Sequence, residues 1–192
     1  MPSQYRPAER APAWATPRRV VILGIGNTIL SDEGVGVHAA AALARSHALP
    51  EGVQVIDGGT AGMELLDALS DVDVLLVLDA VASRQAAGGV LCLTGPEVPV
   101  FFRSKLSPHQ VSICDVLASL EFAGHAPRDL VLIGVRPRNL ELGLELSPQV
   151  AARVPEMVAM AVVQLAARGV WLEPLRPHEV PAAAVRTDLA VT

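Results

Sequence analysis

Between residues 19 and 168 the chain alternates short aliphatic runs with longer stretches of helical period. The runs at 19–25, 53–57, 74–79, 90–93 and 130–135 are mostly β-branched or Leu and are bounded by Gly, Pro or Asp, which predicts buried strands. The stretches 32–46, 61–69, 108–122 and 148–168 predict helices, and the last sets Val150, Val154, Val158, Val162 and Leu165 on one face at three- and four-residue steps. Strands alternating with helices predict an α/β fold: a three-layer sandwich whose mostly parallel, twisted five-stranded sheet is flanked by helices on both faces. No linker divides the core, so one domain is expected over 18–171. Residues 1–17, with Pro2, Pro7, Pro12 and Pro17 and no periodicity, read as a flexible extension. Residues 172–192, with Pro174, Pro177 and Pro181, read as an irregular tail.

Composition narrows the class. With 192 residues, 51% of them hydrophobic, the chain has enough apolar surface for a compact domain, and disorder as its main state is excluded. Aromatics make up only 3%, so the core must be built from Val, Leu, Ile and Ala. A formal net charge of -5 has the wrong sign for a nucleic-acid partner. The longest apolar stretches are broken by Asp79, Glu156 or Gln164 before the roughly 18 residues that span a bilayer, so no membrane insertion is expected. Arg18-Arg19 followed by an apolar run has the outline of an export signal. That run ends at Gly26-Asn27 and leads into acids rather than a cleavage site, so it reads as a first core strand in a cytoplasmic protein. Cys92 and Cys114 form no C-x-x-C and read as two reduced, buried thiols.

In an open parallel sheet, ligands bind beyond the carboxyl ends of the strands, which directs attention to the loop Gly24-Ile25-Gly26-Asn27 through Asp32-Glu33-Gly34-Val35-Gly36. A dinucleotide fingerprint fails there: Ile stands at position 29 where a third glycine is needed, and Asp32 and Glu33 would repel a pyrophosphate. No Gly-Lys-Ser/Thr exists to form a Walker loop. The two acids suit a cation, and Glu33, expected in the first helical turn, would be kept ionised by the macrodipole. The plainer alternative is that both acids cap the helix. The clustered Gly24, Gly26, Gly34 and Gly36 suggest that something approaches the backbone closely.

Three further positions carry chemistry. Asp79 closes an all-aliphatic run, where a carboxylate is expensive to desolvate unless it is hydrogen-bonded, holds a metal or lies at the open sheet end. Asp57 precedes Gly58-Gly59 and is equally an ordinary turn former. Ser107-Pro108 fixes a helix start that holds His109 beside unsatisfied N–H groups, which favours the neutral imidazole that a metal requires. His38, His47, His125 and His178 show no partner pattern and read as structural or solvated. There is no G-x-S-x-G, so any hydrolysis would need a carboxylate or a metal to activate water. In the loop 94–106, Phe101 and Phe102 read as packed inward rather than as a docking patch.

Taken in order, Gly24-Ile25-Gly26-Asn27 with Asp32-Glu33-Gly34-Val35-Gly36, Asp57-Gly58-Gly59-Thr60-Ala61-Gly62, Asp79-Ala80 and Ser107-Pro108-His109-Gln110 resemble the [NiFe]-hydrogenase maturation endopeptidases. The similarity covers about residues 18–171. The resemblance implies an endopeptidase that removes the C-terminal extension of the hydrogenase large-subunit precursor after nickel insertion. It implies a metal-contacting trio at Glu33, Asp79 and His109. Asp57 becomes the catalytic candidate, with loop shaping, substrate binding and proton transfer all open. The implied metal is nickel supplied by the substrate, with zinc or cadmium able to take its place in vitro, and the implied partner is that precursor, met by a monomer. Two other functions compete: a metal-dependent hydrolase with its own zinc or nickel acting on a small substrate, and a non-catalytic nickel-recognition chaperone.

Overall fold

The computed structural model describes residues 19–103 and 113–176. In chain order, β1 (Val20–Ile25) leads through a 3-10 turn (Ser31–Gly34) into α1 (Val35–Ser46) and a two-residue strand β2 (His47–Ala48). Next come β3 (Val53–Gly59), a 3-10 turn (Met63–Leu65) running into α2 (Leu66–Leu69), β4 (Val74–Ala80), β5 (Val90–Thr94) and α3 (Glu97–Arg103). The described chain closes with α4 (Ile113–Ala123), β6 (Asp129–Val135), α5 (Pro148–Ala151), α6 (Val154–Ala166) and β7 (Glu173–Pro174).

The five aliphatic runs form one sheet in the order β3-β1-β4-β6-β5. Its first four strands are parallel and β5 is antiparallel to β6. Alternation along each strand separates two cores. Val20, Ile22, Val55, Leu76 and Ile133 meet α1 and α6 through Ala40, Leu43, Met157 and Leu165. Val21, Leu23, Leu75, Val77 and Leu132 face the opposite way, toward Leu69, Phe102, Val116 and Leu120. Burying each of these Leu and Ile side chains contributes roughly 2 kcal/mol. The three-layer α/β sandwich read from the sequence is therefore the observed architecture. No helix among the described residues is long and apolar enough to cross a membrane.

Four local features differ from the sequence pattern. The helix expected from residue 32 opens with the 3-10 turn and becomes α only at Val35. The helix expected over 148–168 is two: α5 ends at Ala151 and α6 starts again with Pro155 in its first turn, because proline has no N–H for the preceding carbonyls. On α6 the buried face is Met157, Val158, Ala161 and Leu165, with Val154 and Val162 only partly covered. α3 and the small antiparallel pair of β2 with β7 were not expected, being too short to show a period. Of the helix expected over 108–122, residues 108–112 lie outside the described residues, and α4 accounts for the rest. Phe102 is buried and Phe101 half-buried against the same core, their rings 6.2 Å apart edge to face, so both pack inward. Cys92 and Cys114 are both half-buried thiols rather than fully buried, and burial pushes the Cys92 thiol up.

Candidate active site

The carboxyl ends of β1, β3 and β4 form a lip. Gly24 on β1 is level with Asp57 on one side and Leu78 on the other, so the two strand-end aspartates flank the end of β1. At a strand spacing of about 4.8 Å their backbones lie roughly 10 Å apart. The start of α1 is seated directly on this lip: a Cβ at Gly36 would overlap the carbonyl oxygens of Leu78 and Ile25. Gly26, at φ 131°, lies against the carbonyl of Glu33, where a Cβ would also overlap. The close approach suggested by the clustered glycines is thus made by the chain's own backbone.

This seat fixes the Ser31–Gly34 turn, which packs against β4. Its two acids behave differently. Asp32 is fully buried, and its carboxylate accepts hydrogen bonds from the N–H groups of Arg138 (2.9 Å), Asn139 (2.8 Å) and Ser147 (2.6 Å) and from the Ser147 hydroxyl (2.9 Å). Burial by itself would raise the Asp32 pKa, but the bonds from Asn139, Ser147 and Arg138 outweigh it and hold the carboxyl below its ordinary value. Asp32 therefore neither caps the helix nor faces a cation. Glu33 is half-buried, and among the described residues its carboxylate has no hydrogen-bond or ion-pair partner. Burial pushes its pKa up, the reverse of the macrodipole effect expected from the sequence.

Asp79 is half-buried at the end of β4, beside Gly134 of β6. Alternation with Leu75 and Val77 puts it on the sheet face that α4 covers. Asp57 alternates with Val53 and Val55 and so belongs to the α1 face. One of its oxygens accepts the Gly59 N–H at 2.9 Å, the local bond of an ordinary aspartate turn. His109 lies outside the described residues. Among the described residues no group of three or more His, Cys, Asp or Glu could hold a metal ion. Of the other histidines, His125 pairs with Asp71 at 2.9 Å on the surface, and His47 Nδ1 lies 2.9 Å from the Ser46 hydroxyl.

A family model described as HycI, hydrogenase maturation protease, matches residues 37–164, more than half of the chain. The chain belongs to the hydrogenase maturation protease family. It is accordingly a peptidase, a hydrolase of peptide bonds. The Hydrogenase 2 maturation protease of Escherichia coli (strain K12) is 41% identical over 153 residues, spanning 79% of this chain and 93% of that protein. The hydrogenase expression/formation protein HupD of Rhodobacter capsulatus is 40% identical over 156 residues, 80% of this chain and 74% of that one. The solved structure of the hydrogenase maturating endopeptidase HybD from E. coli superposes with a TM-score of 0.77 at 41% identity, covering 81% of this chain and 97% of that chain.

Sequence reasoning missed the segment 138–147, which Asp32 ties to the lip. Asp32 stands 106 residues before Arg138 and 115 before Ser147, so no local pattern announces the contact. The one available signal is Ser147-Pro148, a helix-start pair; Ser147 does cap α5, its side chain accepting the Val150 N–H.

Proposed function

We propose that this peptidase removes the C-terminal extension of the large-subunit precursor of a [NiFe] hydrogenase once nickel is in place, and that it recognises the nickel carried by that precursor. The observation that carries the reading is Glu33: a half-buried carboxylate without a partner among the described residues, on a turn packed against β4, the strand that carries Asp79 near its end. A half-buried carboxylate left so is an oxygen donor that a cation would satisfy. His109 is the third ligand in this reading. It precedes by four residues the start of α4, and α4 covers the same sheet face as Asp79. Two carboxylates and an imidazole are borderline donors that suit nickel and accept zinc or cadmium in vitro.

Nickel is part of the substrate here, held by the precursor and bridged by the trio, so that the scissile peptide lies over the lip. Water adds to the peptide carbonyl, the C–N bond breaks, and the proton given up by water ends on the departing amine. Polarisation of the carbonyl by the metal, or acceptance of the water proton by a lip carboxylate, assists the attack. Asp57 is the candidate for that carboxylate, since only one of its oxygens is committed to the Gly59 N–H among the described residues. We take the peptidase to act as a monomer in the cytoplasm.

Glu33→Gln, Asp79→Asn and His109→Ala are each expected to cut processing of nickel-loaded precursor by at least ~100-fold while leaving the far-UV circular dichroism unchanged. Full activity in any one of them removes that residue from the trio.

A further inference from the structure

The segment 138–147 is joined to the lip by more than Asp32. The Ser31 N–H donates to the Gly143 carbonyl at 2.8 Å, the Gly143 N–H to the Ile29 carbonyl at 3.0 Å, and the Ser31 hydroxyl to the Glu141 carbonyl at 3.0 Å. Ser31 itself is held at φ 48°, a left-handed conformation that a non-glycine residue adopts only when its surroundings impose it. The far side of the segment is also fastened: Arg138 donates to the Gln149 side chain at 3.0 Å, and Gln149 donates to the Ala87 carbonyl at 2.7 Å. The turn carrying Glu33 is therefore clamped from two directions, by the Gly26 backbone on one side and through Asp32 to this segment on the other.

Within the clamp, only the Asp32 carboxylate gathers donors from both ends of the segment, Arg138 and Asn139 at one and Ser147 at the other. Its oxygens are occupied by those donors and cannot also serve a cation. Glu33, the next residue, has no side-chain bond among the described residues to set its direction, so its backbone has to be set for it. We propose that Asp32 is a positioning residue of the peptidase, acting through Glu33: by tying the 138–147 segment to the Ser31–Gly34 turn it holds the Glu33 carboxylate in its metal-facing geometry. This rests on the assignment of Glu33 to nickel recognition made above.

The test is a double-mutant cycle on the full chain, reading two quantities: affinity for Ni²⁺ ions by calorimetric titration and kcat/KM on nickel-loaded precursor. Asp32→Asn keeps the shape but turns an amide NH2 toward donors. It is expected to lower both quantities about tenfold in the otherwise natural protein and to change neither further in the Glu33→Gln background. Ser147→Ala, which removes the hydroxyl's bond to Asp32 together with its cap on α5 and keeps the Ser147 N–H contact, is expected to do the same more weakly, and it stands in if Asp32→Asn does not fold. A penalty of equal size in both backgrounds would show Asp32 acting independently of Glu33 and overturn the proposal, as would unchanged values in Asp32→Asn while Glu33→Gln is impaired. Glu33→Gln without effect on either quantity would instead count against the metal-recognition reading beneath it.

Discussion

Asp32 and Glu33 are adjacent in the chain, yet the first spends its carboxylate on four hydrogen bonds and the second has none among the described residues. Their contributions to stability should differ in sign. Asp32→Asn leaves donors facing an amide and is expected to cost about 2 kcal/mol in urea unfolding at neutral pH. Because the folded Asp32 binds its proton less tightly than the unfolded one, its contribution is full above the ordinary carboxylate range and is lost as the pH falls through the depressed folded value. The gap between natural protein and variant should close over that acid range. For Glu33, folding raises the pKa, so the charged form is penalised and stability falls as the pH rises from the ordinary value through the raised one. Glu33→Gln should accordingly stabilise the fold slightly at neutral pH while removing function, and the gain should vanish in acid, where Glu33 is neutral. Both acids were visible in the sequence as cation candidates, but only Glu33 keeps that standing. Asp32 was misread because what satisfies it lies more than a hundred residues away, beyond the reach of motif or period.

At the level of elements, the period-2 and period-3.6 signals located all five sheet strands and the main helices, since these pack over enough residues for burial to select the pattern. What escaped is short or set by backbone sterics. α3 and the β2/β7 pair are too brief to show a period, and Pro155 splits one expected helix into two. The 3-10 turn before α1 follows from the glycine contacts, which the sequence shows as a cluster but cannot orient. Gly36 is the sensitive position on the helix itself. A methyl group there meets the carbonyls of Leu78 and Ile25, which are fixed in the sheet, so α1 itself must move. Gly36→Ala is expected to cost about 2–3 kcal/mol in denaturant unfolding, although alanine is the better helix former. A stabilised variant would mean that α1 is not seated on the strand ends.

For the molecule as a whole, the crossovers put the ends of β1, β3 and β4 side by side, and this converts three separate acids into one lip. The sequence order of the motifs was enough to indicate the peptidase family, because each motif among the described residues ends a strand or begins a helix at that lip. It did not reveal that alternation divides Asp57 from Asp79 across the sheet, a property of register rather than of motif. In the function proposed above, the lip reads nickel in the precursor before cutting. Intact-mass measurement of products from nickel-loaded and nickel-free precursor, incubated with the natural protein side by side, tests it most directly. Loss of the C-terminal extension from the nickel-loaded precursor alone is the expected result; cleavage of both at equal rates would contradict nickel recognition.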